Sequence, residues 1–178
     1  MIIGLTGGIA SGKTAASEIL KEIGAVIVDA DVIAHKITEP GEEGYKKIVE
    51  EFGEEILKQG GGIDRKHLAK LIFNNSREKS RLEDITHPII INRIKSIIER
   101  YQNKENFQRP LIIVAPLLYE TGMDDLVEEV WLIYVDRETQ IERLKNRDGI
   151  SKKQALNRIE SQMPLSVKKK KGGQSNSK

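Results

Sequence analysis

The chain has 178 residues, of which 38% are hydrophobic and 31% charged, with a formal net charge of +2. That length and balance give one globular domain with a real core and exclude a wholly disordered chain. No apolar run is long enough to cross a membrane, and the lack of cysteine excludes disulfides and cysteine-bound zinc.

These features predict a cytoplasmic protein with no membrane partner. The N-terminus is apolar but has no basic segment before it, so it does not read as a secretion signal. Aromatic residues are only 4%, so the core is expected to be aliphatic. The net charge hides an asymmetry. Residues 151–178 hold eight Lys or Arg and one Glu, whereas residues 1–150 hold 21 basic and 26 acidic residues. The basic character belongs to the tail.

The run Met1 to Thr6 reads as a buried strand, and Ala15 to Ile23 as a helix with Ala16, Ile19, Leu20 and Ile23 on one face. Between them stands Gly7-Gly8-Ile9-Ala10-Ser11-Gly12-Lys13-Thr14. A G-x-x-x-x-G-K-[ST] pattern between a strand and a helix is a phosphate-binding P-loop. Glycines let the backbone curl so that amides point at phosphate oxygens, and the helix N-terminus adds positive character. Gly8 to Ala15 are therefore the expected ATP-binding backbone. Lys13 is placed to reach the outer phosphates, and the Thr14 hydroxyl to ligate Mg²⁺.

Ala25 to Val28 is a second short strand, ending at Asp29-Ala30-Asp31. Ligands of open parallel sheets bind outside the carboxyl ends of the strands, so these carboxylates are expected to share a crevice with the P-loop. Asp31 is the candidate for activating an acceptor hydroxyl. Helix N-capping is the competing role for one of the pair. Residues 41–109 read as a helical insertion that covers the substrate. Within it Asp64 looks like an N-cap for Arg65 to Phe73, Ser76 to Ile85 forms a helix, and His87-Pro88 opens another. His87 is expected to contact substrate or to organise that helix start.

Leu111 to Ala115 is the clearest strand, leading into Pro116-Leu117-Leu118-Tyr119-Glu120. Leu117 and Leu118 line a substrate pocket or belong to the core. No carboxylate follows this strand where many P-loop enzymes place a metal-binding Asp, so Mg²⁺ is expected on Thr14, phosphates and water, with Asp31 as a further candidate ligand. Val130 to Val135 is a further strand. Helices are expected over Glu138–Arg147 and from Ser151 to about Gln162, the second opened by a Ser151/Gln154 capping box. Arg143 and Arg147, four apart on one helix, form either a lid pair over transferring phosphate or a solvated basic face. Alternating strands and helices give an α/β fold of P-loop NTPase type. It is a three-layer α/β/α arrangement with a parallel sheet, a helical substrate-binding insertion and a lid over 137–162. The core segments are 1–38 and 110–136.

The ordered set of motifs resembles the dephospho-coenzyme A kinases. It comprises Gly4-Leu5-Thr6-Gly7-Gly8 with the P-loop, Asp29-Ala30-Asp31, His87-Pro88, Pro116 to Glu120, and Gln140-x-x-Arg143-Leu144-x-x-Arg147. The resemblance covers residues 1 to about 165. It implies ATP-dependent phosphorylation of the ribose 3′-hydroxyl of dephospho-coenzyme A, the last step of coenzyme A synthesis. It assigns Asp31 as base and Arg143 as the lid arginine on the phosphates, beside Lys13 of the P-loop, and places His87 and the Leu117-Leu118 turn on the acceptor side; Thr6 is a further expected substrate contact.

The chain departs from that family after Leu165. The family continues with an apolar strand and an adenine-binding turn, whereas Lys168–Lys171 is followed here by Gly, Gln, Ser and Asn. Residues 166–178 read as a basic, disordered tail. Four lysines imply an adenine-rich codon run, and one codon choice for the following residues reads one base later as Arg-Ala-Asp-Lys-Val-Ile-Val. The terminus therefore reads as altered or frameshifted.

Two other functions fit the same loop: another small-molecule kinase of nucleoside monophosphate or shikimate type, and a non-catalytic nucleotide-binding protein. A nucleic-acid partner is not expected, because the body is acidic and has few aromatics for stacking.

Overall fold

The apolar β-branched runs form four strands: β1 (Ile2–Gly7), β2 (Val26–Asp29), β3 (Leu111–Val114) and β4 (Glu129–Ile133). This is a computed structural model, and it describes residues 1–73, 75–103 and 109–172. The strands make one sheet in the order β2-β3-β1-β4, with every pairing parallel. Register is set by Ile3 opposite Ile112, Gly4 opposite Val130, and Asp29 opposite Val114. The loop after β1 thus leaves the middle of the sheet.

The helices of the described residues are α1 (Lys13–Glu22), α2 (Ala30–Lys36), α3 (Glu43–Phe52), α4 (Arg65–Phe73), α5 (Ser76–Gln102), α6 (Arg137–Asp148), α7 (Lys152–Glu160) and α8 (Leu165–Gly172). Two compact units result. One holds Met1–Asp29 and Tyr101–Lys178, the other Ala30–Arg100. The division falls after Asp29, so Asp31 belongs to the helical unit and not to the sheet. Among the described residues, no helix is long and apolar enough to cross a membrane.

In the sheet unit, alternation places Ile3, Leu5, Ile112 and Val114 in one buried cluster, against which Ala16 and Leu20 of α1 pack. Gly4 faces the other way: a Cβ there would meet Leu118 Cδ2 at 2.8 Å and Val127 Cγ2 at 3.2 Å. The buried stripe of α1 is Ala16, Ser17 and Leu20. Ile19 and Ile23, expected on the core face, are 59% and 76% exposed. The helix thus turns Ala16, Ser17 and Leu20 to the sheet and not Ile19 or Ile23, while Lys13 at its start is tied to the Gly7 and Gly8 carbonyls.

In the helical unit, Ile48, Phe52, Ile56, Ile63 and Leu68 form the core. Asp64 caps α4 as expected, its Oδ1 accepting from the Lys66 and His67 amides at 3.0 and 3.1 Å. The expected break at His87-Pro88 is absent. α5 runs through Pro88 as one helix of 27 residues. Asn75 supplies its cap, accepting from the Arg77 amide at 3.0 Å. Buried Ile90, Ile94 and Ile98, four apart, keep one face of α5 in the core on the far side of the proline. The one backbone bond that proline removes does not outweigh that burial.

The tail also differs from its composition. Leu165–Gly172 is helical and Lys168 is fully buried. Lys168 finds acceptors some fifty residues away in sequence, which local polarity does not register. Residues 173–178, the rest of the expected tail, lie outside the described residues.

Ile94→Ala should lower unfolding free energy by about 2–5 kcal/mol, as for other fully buried isoleucines. Ile19→Ala should stay within about 0.5 kcal/mol. Urea denaturation of both variants checks this, and equal losses would contradict the observed orientation of α1.

Candidate functional site

Gly7 and Gly8 are glycines for steric reasons. A Cβ on Gly7 would lie 2.6 Å from the Ile133 carbonyl oxygen, and one on Gly8 only 2.4 Å from Gln140 Nε2. Gly12 precedes α1 at φ 104°, and Ala10 also has positive φ, at 59°. Such a conformation costs a non-glycine residue about 1–2 kcal/mol, so Ala10 needs support from outside the loop.

That support comes from α6 and the segment after α7. Gln140, almost fully buried, donates Nε2 to the Ile9 carbonyl at 2.8 Å. Gln162 Oε1 accepts from the Ile9 amide at 2.8 Å. Arg143 donates Nη1 to the carbonyls of Ala10 and Ser11 at 3.2 and 3.1 Å. Within the loop, Lys13 Nζ donates to the Gly7 and Gly8 carbonyls at 3.0 and 2.9 Å. The Ser11 amide closes a turn onto Gly8 O at 3.2 Å. The loop's carbonyls are thereby turned to lysine, arginine and glutamine.

The cradle suits a polyphosphate. Ser11 Oγ is buried with no hydrogen-bond partner, and the first turn of α1 holds no acidic residue to repel an anion. Thr14 is exposed at the second position of α1. Ile9 departs from expectation, since its amide serves Gln162.

Of the arginine pair, the structure brings only Arg143 to the loop. Arg147 makes two bonds to Asp148, Nε to Oδ1 at 2.7 Å and Nη2 to Oδ2 at 3.0 Å. Arg158 of α7 reaches the same carboxylate at 2.5 Å. Asp148 thus ties α6 to α7, and the hydrogen bonds from Arg147 hold its carboxyl below the usual range. Asp136 caps α6, accepting from the Thr139 amide at 2.8 Å and hydroxyl at 2.7 Å. Those bonds lower its pKa too, the hydroxyl first. The Ser151/Gln154 capping box of α7 is present.

The turn after β3 is less open than its sequence implies. Leu118 is fully buried and packs on Gly4, so it belongs to the core; Leu117 is half-buried. Thr6 is also fully buried and donates its hydroxyl to the Pro116 carbonyl at 3.4 Å.

In the helical unit, Asp31 stands exposed in the first turn of α2. It lines an open depression of about 600 Å³ with Val32, His35, Lys36 and Glu39. His87 is half-buried and lies inside α5, so it organises no helix start. Among the described residues, no group of three His, Asp or Glu could hold a metal on its own.

A sequence model described as dephospho-CoA kinase matches residues 1–174. The chain belongs to the dephospho-CoA kinase family. It is similar to the dephospho-CoA kinase of Geobacter sulfurreducens, 46% identical over 96% of this chain and 86% of that one. The dephospho-CoA kinase of Carboxydothermus hydrogenoformans is 44% identical over 95% and 81%. Among solved structures, the Campylobacter jejuni dephospho-CoA kinase has a TM-score of 0.66 at 32% identity, covering 95% of this chain and 82% of that one. The Thermus thermophilus protein TT1252 has a TM-score of 0.78 at 28% identity, over 97% and 85%.

Sequence reasoning did not single out Gln162, which holds the Ile9 amide, or Lys168, which holds the Pro116 carbonyl beyond β3. Gln140 was visible only as a motif letter. Each acts on backbone far away in the chain, and a neutral amide or one lysine in a basic run carries no local signal of that.

Two outcomes follow from the clamp. Gln140→Ala or Gln162→Ala leaves one Ile9 backbone group unpaired, at a cost of about 1–3 kcal/mol. Calorimetric titration should show MgATP affinity about tenfold weaker, with the fold intact by circular dichroism. For pH, Asp136 and Asp148 ionise more readily folded than unfolded, so the unfolded chain binds more protons in acid. Their stabilisation is complete above the unfolded carboxylate pKa of about 3.9 and is lost as pH falls through the lower folded values. Asp148→Asn should flatten thermal stability against pH in that window, leaving stability at neutral pH less pH-dependent than in acid.

Proposed function

We propose that the protein transfers the γ-phosphoryl group of ATP to the ribose 3′-hydroxyl of dephospho-coenzyme A, giving coenzyme A and ADP. The observation that carries this reading is the family match over residues 1–174 together with a P-loop clamped from outside.

The loop amides from Ala10 to Ala15, the Ser11 hydroxyl and Lys13 receive the ATP phosphates. Lys13 exchanges the Gly7 and Gly8 carbonyls for phosphate oxygens. Arg143, already on the loop, neutralises charge on the group in flight. Arg147 contributes by its link through Asp148 to α7. Thr14 would be the protein ligand of Mg²⁺, which would supply charge neutralisation to the nucleotide phosphates when bound.

Asp31 removes the proton from the acceptor hydroxyl. That oxygen bonds to the γ-phosphorus, and the bond to the bridging oxygen of ADP breaks. Support for Asp31 is its place two residues beyond the carboxyl end of β2, in a sheet whose loops at that end include the P-loop. His87 and Leu117 bind the acceptor, while Thr6 and Leu118 shape the turn that carries Leu117. The protein acts in the cytoplasm, as suits a chain without cysteine. A nucleic-acid role for the basic run is disfavoured. Lys168 is buried, and the Lys169 and Lys171 ammonium groups each lie 5.5 Å from the ring centres of Tyr134 and Tyr119.

A coupled ADP-release assay tests the reading, with dephospho-coenzyme A against pantetheine, shikimate and nucleoside monophosphates. Turnover should depend on dephospho-coenzyme A; equal or higher rates with another acceptor reject it. Asp31→Asn should lower kcat at least a hundredfold, the scale of lost general-base catalysis, with ATP binding kept. Lys13→Ala should cripple turnover as well. Asp31→Asn activity within a few-fold of wild type would remove Asp31 as the base.

A further inference from the structure

Lys168 is the one charged side chain that is fully buried among the described residues. Its ammonium donates to the Pro116 carbonyl at 2.6 Å and pairs with Glu120 Oε1 at 2.9 Å. The same Glu120 oxygen accepts from the Met163 amide at 3.0 Å. The same Pro116 carbonyl accepts from Thr6 Oγ1 at 3.4 Å. Next to Met163, Gln162 holds the Ile9 amide.

These contacts make a continuous path. It runs from the P-loop at Ile9 through Gln162 and Met163 to Glu120, then through Lys168 to Pro116 and back to Thr6 at the end of β1. Both ends of the turn leaving β3 are held by one ammonium. A lysine buried only for stability is a poor choice, because an apolar side chain of similar length avoids the desolvation cost. What an apolar chain does not supply is a fixed distance between a carbonyl and a carboxylate.

We propose that Lys168 is a positioning residue for the phosphoryl transfer. It sets the turn Pro116–Glu120 against the nucleotide loop and so places the acceptor relative to ATP. The proposal rests on the kinase reading above. Lys168 touches neither substrate, and its effect passes through Pro116 and Glu120.

The test compares steady-state constants of the full chain with Lys168→Met and Glu120→Gln. Lys168→Met keeps the length of the side chain and removes the charge. It should raise KM for dephospho-coenzyme A about tenfold while KM for ATP moves less than about twofold. Glu120→Gln keeps an oxygen for the Met163 amide and should shift the same ratio in the same direction by a smaller factor. Gln162→Ala should show the reverse split, with KM for ATP rising more. Equal changes in both KM values, or none, in variants with a wild-type circular dichroism spectrum overturn the positioning role. If Lys168→Met does not fold, Glu120→Gln decides alone, and an unchanged KM ratio in it overturns the proposal. Wild-type protein that never phosphorylates dephospho-coenzyme A rejects the kinase reading and takes the positioning role with it. Wild-type turnover with an unshifted ratio in the variants rejects only the positioning role.

Discussion

Ile9 carries the constraint on which the nucleotide site depends. Its carbonyl is held by Gln140 and its amide by Gln162, at 2.8 Å each. A P-loop must present backbone in conformations that most residues resist, as Ala10 does at φ 59°. Glycine permits such a path but does not fix it. Here the fixing is done by the segment from α6 to α8, which grips the loop at Ile9, Ala10 and Ser11. The loop is therefore shaped by residues more than 120 positions downstream.

This arrangement links the sheet to the chemistry. β1 is central, between β3 and β4, so the loop leaves the sheet where the two neighbouring strand ends flank it. Gly7 fits against the Ile133 carbonyl of β4, and Gly8 against Gln140 of α6. On the other flank, Thr6 and Lys168 share the Pro116 carbonyl beyond β3. Close approach to the β4 side requires glycine, and order on the β3 side requires a buried ammonium. Asp148, bonded by both Arg147 and Arg158, keeps α6 and α7 in step.

Much of this was legible in the sequence, and the boundary is physical. The P-loop spacing, the four strands, the Asp64 cap and the Ser151/Gln154 box are local patterns, and local patterns are readable. The family resemblance was readable because its motifs keep their order. The failures share one cause. Whether Ile19 is buried, whether α5 survives Pro88 and whether Lys168 is solvated are decided by partners remote in the chain. Pro88 shows this best: its signature is a helix break, yet Ile90, Ile94 and Ile98 hold the helix in the core. Leu118 likewise reads as pocket or core from sequence, and only its contact with Gly4 decides for the core.

The central claim is that this clamped loop serves transfer of phosphate to one ribose hydroxyl. Phosphorus-31 NMR of the protein with MgATP and dephospho-coenzyme A tests it directly. The account predicts loss of the γ-phosphate signal with matching gain of ADP and of one new phosphomonoester resonance, coupled to the ribose 3′ proton. Inorganic phosphate as the only new signal, or a monoester at a different hydroxyl, would contradict it.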